Sequence, residues 1–361
     1  MSPEAGLLLL RAEHLRCLDS IELLADPAQN IIVGENGAGK TSILEAIYYL
    51  GRGKSFRPGP ASMLIQTGQT TFTIFGEVAE PSGRHRLGIS HGRDGLQAHF
   101  DTQAQATLAD LASALPVQII DPEVHQLIQG GPQGRREFVD WGVFHVKHEF
   151  INEWRRYRRA LKQRNAALKQ GLAKQAVMAW DPELIESGLE IDAARREYVS
   201  TFMPLMSSIS TELLLNEANY YYLPGWASTD SFSEALSASW ERDCTYGATQ
   251  VGPHRAELSI QSDGQAARNR LSRGQQKLLS IALVLAQSIF VARSQKRKVT
   301  LLVDEPAAEL DTVHVHKLFE ILKDLNKDRK KLLLLKKKMS EHSDKDAMSK
   351  IYKLIKTTLN V

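Results

Sequence analysis

The eight residues GENGAGKT at 34–41 have the types and the spacing that phosphate binding requires. They complete the pattern G-x-x-x-x-G-K-[ST], in which glycines let backbone N–H groups turn toward phosphate oxygens, a lysine neutralises charge and a hydroxyl binds Mg²⁺. A glycine-rich turn without a ligand is the alternative, but four fixed positions between a strand and a helix favour a nucleotide. The predicted nucleotide-binding residues here are Gly34, Glu35, Asn36, Gly37, Ala38, Gly39, Lys40, Thr41 and Ser42.

Two adjacent acids, Asp304 and Glu305, follow an apolar run at 299–303 that predicts a buried strand. A carboxylate at such a strand end, beside the strand that leads into the phosphate loop, is suited to hold Mg²⁺ together with Thr41. Glu305 is placed to act as general base for an attacking water, so Lys40 and Glu305 are the candidate catalytic residues. Acids at strand ends are common, and it is the pairing with the phosphate loop that makes this one informative.

A second anion site is predicted in the stretch LSRGQ at 271–275, where a long apolar helix begins. Ser272 stands in the N-cap position and Gly274 follows, so a hydroxyl, backbone N–H groups and the helix dipole point the same way. An ordinary capped core helix is the alternative. Because one chain has two phosphate-binding ends, we expect a head-to-tail dimer in which Ser272, Gly274 and Gln275 of one copy reach the nucleotide held by Lys40 of another.

The elements around these residues divide the chain. Alternating patterns at 69–80, 84–91 and 96–100 predict an antiparallel meander. Helical patterns at 134–171 and 182–219 predict a projecting hairpin. We therefore expect a head from 1–122 and 221–361, an inserted helical arm at 123–220, and an atypical lysine-rich terminus at 321–361.

Composition sets further bounds. With 43% hydrophobic and 24% charged residues, the chain is typical of a soluble globular protein. Its two cysteines, Cys17 and Cys244, favour a reducing compartment, and we expect no signal peptide, no membrane span and a cytoplasmic location. Residues 321–361 have twelve Lys and Arg against five Asp and Glu, a net of +7, which leaves −4 for the remainder of a chain whose net charge is +3.

Basic residues are concentrated on the first arm helix, among them Arg155, Arg156, Arg158 and Arg159. A nucleic-acid surface and a solvated helix face both fit such a run of charge. Histidines at 85, 91 and 99 lack the spacing of metal ligands.

The order GENGAGKT, LSRGQ, VDEP and AELD resembles that of ABC-type ATPases in their SMC-like branch, and in particular the RecF family. Four further stretches carry the resemblance: GKSFR at 53–57, LIQGGPQGRREFVDWGVFH at 127–145, RRYRRALKQRN at 155–165 and GPHRAEL at 252–258. The resemblance implies an α/β fold, with an ABC-ATPase-like head (a P-loop mixed sheet with an antiparallel flank) and an inserted helical arm domain.

The resemblance also implies a function: an ATP-dependent homodimer with Mg²⁺ that binds double-stranded DNA near single-strand gaps and single-strand/double-strand junctions. It further implies help in loading RecA with RecO- and RecR-type partners, and slow, DNA-stimulated ATP hydrolysis. Arg135, Arg136 and Arg255, which match the family, then become DNA-binding candidates with the four arm arginines.

Two other interpretations stay open. A transport ATPase subunit has similar motifs, although the basic arm and the block at 127–145 are not typical of one. A nucleotide-stabilised scaffold without hydrolysis stays open because of the end of the chain, where the run at 331–335, the candidate final edge strand, is followed directly by three lysines.

Overall fold

The structure is a computed structural model that describes residues 5–26, 29–81, 83–103, 106–214, 218–227, 230–305 and 332–335. Its strands are β1 (Gly6–Leu15), β2 (Leu18–Leu24), β3 (Gln29–Ile32), β4 (Phe72–Glu80), β5 (Gly83–Gly92), β6 (Gly95–Phe100), β7 (Val117–Ile120), β8 (Asn219–Leu223), β9 (Glu257–Ser262), β10 (Gln265–Ala266), β11 (Thr300–Asp304) and β12 (Leu332–Leu335). Its α-helices are α1 (Lys40–Arg52), α2 (Leu108–Ala114), α3 (Gln126–Gln129), α4 (Pro132–Val146), α5 (Phe150–Lys169), α6 (Lys174–Met178), α7 (Asp181–Leu214), α8 (Phe232–Ala238), α9 (Trp240–Tyr246), α10 (Ala267–Arg270) and α11 (Arg273–Gln295).

The chain forms two compact units. Unit 1 comprises the described residues of Met1–Pro122 and Lys298–Val361, and unit 2 comprises those of Glu123–Arg297. The predicted division instead assigned 221–297 to the head. In the structure these residues belong with the helices, because α11 packs on α7 and β9 packs on α4.

Unit 1 contains two sheets. An antiparallel sheet has the order β2-β1-β4-β5-β6, and a parallel sheet has the order β3-β12-β11-β7. The predicted meander is confirmed, since β4 pairs with β5 and β5 pairs with β6. The described strands of the phosphate-loop sheet are all parallel, and the antiparallel strands form a sheet of their own.

Helix α1 is the centre of the unit 1 core and contacts strands of both sheets. Leu44 and Ile47 on this helix are fully buried, together with Leu10 of β1 and Leu302 of β11. Full burial of one such side chain stabilises a fold by roughly 1.5–3 kcal/mol. The helix that leaves the phosphate loop is therefore fixed by packing on two sides.

The last strand lies in the interior of the parallel sheet and not at its edge. Leu332–Leu335 pairs with β3 on one side and with β11 on the other. The expectation of a terminal edge strand was wrong, as was the expectation that the Asp304 strand lies directly beside the phosphate-loop strand. The AELD stretch at 308–311 and the lysines that follow Leu335 lie outside the described residues.

Unit 2 combines helices with the small antiparallel sheet β10-β9-β8. The predicted helix at 134–171 is two helices, because the backbone at Lys147 is extended and ends α4 before α5 begins. α5 and α7 pack against each other, as expected for an arm hairpin.

Helix α11 has the length and composition of a membrane span, contrary to the expectation from sequence that no stretch has them. However, 78% of its most apolar window is buried within the structure. Burial of this extent is typical of the core helix of a soluble domain.

Candidate functional site

The phosphate loop connects β3 to α1 and turns through two glycines in the left-handed region. Gly37 has φ +81° and Gly39, which caps α1, has φ +89°. At Gly39 a Cβ would also lie 2.7 Å from Leu18 Cδ2 and 3.3 Å from Cys17 Sγ. Both conformation and space therefore require glycine at this position.

The Lys40 ammonium group lies inside the loop. Its Nζ donates to the carbonyl oxygens of Gly34 (2.8 Å) and Glu35 (2.5 Å), and the residue is 6% exposed. Glu35, Asn36, Gly37 and Ala38 are exposed around it. The loop thus presents open backbone over a buried cation, which is the arrangement that receives an anion.

The two hydroxyls after Lys40 differ in their surroundings. Thr41, the predicted metal ligand, is half-buried in the first turn of α1. Ser42 is buried, and its Oγ lies 3.5 Å from Cys17 Sγ. Among the predicted nucleotide-binding residues of this loop, Ser42 therefore has a packing role.

A buried carboxylate that sequence reasoning missed anchors α1. Glu45 is fully buried, and both its oxygens accept from Arg16, at 3.0 Å each. Ser55 Oγ also donates to it, and Arg57 lies 3.9 Å away. The Glu45 carboxylate thus connects the phosphate-loop helix to the β1–β2 turn and to the basic loop at 53–60 that follows the helix.

Asp304 ends β11 on the same edge of the sheet from which the phosphate loop leaves β3. Asp304, Leu335 and Ile32 are directly paired across β11, β12 and β3. With strands about 4.8 Å apart, the backbones of Asp304 and Ile32 are separated by about 10 Å.

The donors at this edge fit Mg²⁺. The Asp304 carboxylate and the Thr41 hydroxyl are hard oxygen ligands, and Mg²⁺ is usually bound by one or two such groups together with substrate phosphates and waters. Within the described ranges no cluster of three His, Cys, Asp or Glu residues could hold a metal by itself. A site completed by a nucleotide agrees with both observations.

Glu305 has a strained backbone. Its φ is +50°, in the left-handed region that a residue with a side chain rarely adopts. Such strain concentrates at functional positions. It is therefore consistent with the predicted role of Glu305 next to Asp304.

The N-terminus of α11 carries the second predicted anion site. Ser272 is exposed and forms a capping box with Gln275: Gln275 N donates to Ser272 Oγ (3.3 Å), and Ser272 N donates to Gln275 Oε1 (3.0 Å). A Cβ on Gly274 would meet no atom within 4 Å. The predicted cap is confirmed, and this helix end is open to an external group.

The basic residues near the small sheet of unit 2 have unequal roles. Arg135 is 6% exposed and forms a two-pronged ion pair with Glu257, at 2.7 and 2.8 Å. Arg136 is half-buried, and this burial lowers its pKa from the ordinary value. Arg255 is exposed and donates to Gln250 Oε1 at 3.2 Å. The contacts of Arg135 are structural, and of the three only Arg255 is exposed.

The predicted DNA-binding arginines of α5 also differ in their contacts. Arg156 forms ion pairs with Glu153, Glu183 and Glu186, and the bonds to Glu183 raise its pKa above the ordinary value. It thereby connects α5 to α7, so its position argues against a free DNA contact.

The other three predicted arginines of α5 lie on one exposed face. We call the exposed basic residues of this face the α5 stripe: Arg155, Arg158, Arg159, Lys162 and Lys169. Steps of three, four and seven residues place them on one side of the helix, over a length of about 21 Å. The sequence predicted only that basic residues are concentrated on this helix. The structure separates the exposed ones from Arg156, which is ion-paired, and from Arg164, which is buried.

Comparisons with known proteins agree on one family. A family profile described as the RecF/RecN/SMC N terminal domain matches residues 7–358. The chain is 37% identical to the DNA replication and repair protein RecF of Hydrogenovibrio crunogenus over 320 residues, which covers 88% of each chain. It is 42% identical to the protein of that name from Azotobacter vinelandii, with 86% of each chain covered.

Solved structures show the same fold. A structure described as the recombination mediator protein RecF-ATP in the RecFOR pathway has a TM-score of 0.85 and 23% identity, and 95% of each chain is covered. The Smc head domain of Pyrococcus furiosus has a TM-score of 0.56 and 15% identity, covering 96% of this chain and 91% of that one. The predicted fold class, an ABC-ATPase-like head with a helical arm, is therefore confirmed. The chain belongs to the RecF family.

Proposed function

We propose that this protein is an ATP-dependent DNA-binding protein of recombinational repair, in which nucleotide gates a dimer that holds duplex DNA near single-strand gaps. The observation that carries the proposal is a pair of helix N-termini, at Lys40 and at Ser272, that lie on two different units of the chain. Each is predicted to bind phosphate. The names of the relatives, which are DNA replication and repair proteins, support the DNA side of it.

The nucleotide in this proposal is ATP, bound by the loop from Gly34 to Thr41. Lys40 exchanges its two loop carbonyls for phosphate oxygens, which are stronger, charge-assisted acceptors. Thr41 and Asp304 hold Mg²⁺, whose positive charge stabilises the triphosphate. Glu305 orients a water. A related protein is described as a complex with ATP, which supports this ligand.

The dimer in this proposal is head-to-tail. The exposed Ser272, the open backbone at Gly274 and the first turn of α11 in one copy meet the outer phosphate bound to Lys40 in the other. Because Ser272 and Gln275 satisfy each other in the free chain, this end is stable without a partner. Nucleotide then adds the charge that brings two copies together.

The DNA surface in this proposal is the α5 stripe with Arg255. Exposed arginine and lysine on one side of a helix suit contacts to backbone phosphates, which give sequence-independent and salt-sensitive affinity. We extend the proposal to RecO- and RecR-type partners and to assistance in RecA loading. The likeness to a protein described as part of the RecFOR pathway supports the partners. The transporter interpretation is not favoured, since the relatives named above are DNA replication and repair proteins.

Analytical sedimentation tests the proposal. With ATP, Mg²⁺ and a gapped duplex, the chain should sediment as a DNA-bound dimer, and without nucleotide as a monomer. Ser272→Arg should remain monomeric while still binding ATP. A wild-type chain that remains monomeric at saturating ATP would refute the clamp and leave only a nucleotide pocket.

A further inference from the structure

The short turn Pro253–Arg255 presents an exposed arginine on a backbone that is held from several sides. Gly252 N donates to the carbonyl oxygen of Gly225 at 3.2 Å, and Arg255 N donates to that of Gly252 at 2.8 Å. Gly252 has φ +129°, and a Cβ there would lie 2.6 Å from the Tyr157 hydroxyl oxygen. The turn therefore fits its surroundings closely.

Two guanidinium groups hold the residues on either side. Arg195 is 1% exposed, and its Nη1 donates to the Pro253 carbonyl oxygen at 2.7 Å. Arg136 Nη1 donates to the Ala256 carbonyl oxygen at 2.8 Å. The backbone that carries Arg255 is thus bonded before and after it.

The ring of His254 lies beneath the turn with both nitrogens bonded. Nε2 lies 3.0 Å from the Thr249 carbonyl oxygen, and Nδ1 lies 2.6 Å from the hydroxyl of Tyr157, which is fully buried on α5. A carbonyl oxygen only accepts, so Nε2 carries the hydrogen and Nδ1 accepts from the tyrosine. This pair of bonds fixes the ring orientation.

Burial, together with the positive charges of Arg255 and Arg136, lowers the pKa of His254 to about 4. The ring is therefore neutral near pH 7 and repels neither arginine. Arg255 remains the exposed charge of the turn.

We propose that His254 is a positioning residue for Arg255: held between Tyr157 and Thr249, it fixes the turn so that the guanidinium points outward before DNA arrives. A group that is already oriented loses less conformational entropy on binding, which raises affinity without a new contact. This inference rests on the proposed DNA binding. It goes further by assigning roles to two residues that do not touch DNA.

A double-mutant cycle on the full chain tests the proposal, with a duplex oligonucleotide as the probe and affinity measured at several salt concentrations. Arg255→Ala should weaken binding about five-fold and reduce the salt slope by about 0.9, the value for one lost phosphate contact. His254→Ala and Tyr157→Phe should each weaken binding in the wild-type background. In the Arg255→Ala background they should have no further effect.

Tyr198→Phe is the matched control, because it removes another buried hydroxyl of unit 2, the one bonded to Gln287. It should lower the melting temperature and leave DNA affinity unchanged. Tyr157→Phe keeps the test decisive if His254→Ala fails to fold, because it removes a single oxygen atom.

Three outcomes would overturn the inference. Equal losses in both backgrounds, or no loss in either, would show that His254 does not act through Arg255, and the proposed function would stand. If Arg255→Ala bound the duplex as tightly as wild type, Arg255 would not belong to the DNA surface. Replacement of the α5 stripe would then decide separately whether the chain binds DNA as proposed.

Discussion

The N-termini of α1 and α11 are both predicted to bind phosphate, and they differ in the groups that they supply. At α1 a left-handed glycine turns the chain and Lys40 is enclosed by carbonyl oxygens. At α11 there is an exposed serine in a reciprocal capping box. The first end is a pocket with its own cation, whereas the second has hydrogen-bond donors and a helix dipole and needs an anion brought to it.

This difference indicates an order of events. In the proposed mechanism, the end that has a buried cation binds the triphosphate first, because its charge is already desolvated and oriented. The α11 end is capped by its own side chains. In the proposed mechanism it contacts the nucleotide only after a second copy of the chain has bound that nucleotide. The two ends should therefore respond differently to mutation.

The largest effect is expected at Lys40. Lys40→Ala should weaken ATP binding about 100-fold, since it removes charge-assisted bonds that are worth roughly 1.5–3 kcal/mol each. Titration calorimetry measures the change, with Lys162→Ala on the exposed arm as control. An affinity within three-fold of wild type would show that this end is no nucleotide pocket.

Ser272→Arg should impair dimerisation and leave ATP binding nearly unchanged, in contrast to Lys40→Ala. If the α11 end contacts ATP only within the proposed dimer, affinity of the free chain for ATP should change less than about three-fold. Nucleotide-dependent dimerisation should weaken at least about 30-fold, since arginine fills the space at an interface that must close on a phosphate. Sedimentation equilibrium measures it, and Ser272→Thr, which keeps the cap, is the control. Unchanged dimers would contradict the shared site.

Replacing Arg155, Arg158 and Arg159 together by alanine should leave both helix ends intact. ATP affinity should not change, whereas duplex binding should weaken about 10-fold or more near 0.1 M salt and the salt slope should fall by about 2–3. Arg156→Ala is the matched control: it breaks ion pairs to three carboxylates within the arm and should affect stability rather than DNA affinity. If both variants lost the same amount of DNA affinity, the α5 stripe would act through the stability of the arm and not through contacts to DNA.

The smallest effect is expected at Gln275. Gln275→Ala removes half of the capping box and should lower the free energy of unfolding by about 0.5–1 kcal/mol. Denaturant unfolding with and without ATP measures it. A much larger loss would mean that this end of α11 is a core element and not one that is left open for a partner.

The sequence predicted those parts of the site that are local. Lys40 and Ser272 lie in short patterns in which neighbouring residues supply the strand, turn and helix signals, so both helix ends could be located without a structure. The α5 stripe was predicted only as a run of charge, because the partners that remove Arg156 from it lie on another helix, at Glu183 and Glu186.

The non-local parts could not be predicted. Four leucines between lysines gave no indication that β12 lies between β3 and β11, because strand order depends on pairing between distant segments. Glu45 has the appearance of an ordinary helix surface residue in the sequence, since its partner Arg16 lies 29 positions away in the turn between β1 and β2. Arg135 and Glu257 are separated by 122 positions. Pairings of this kind are decided by the fold.

Mixing two defective variants tests the shared site most directly. In a head-to-tail dimer, one Lys40→Ala copy and one Ser272→Arg copy together form one intact site, built from the phosphate loop of the second and the α11 end of the first. At saturating ATP and Mg²⁺ each variant alone should sediment as a monomer, and the equimolar mixture should contain dimers. Lys40→Ala mixed with a copy that carries both changes should contain none. A mixture that stays monomeric, beside a wild type that dimerises, would contradict the account.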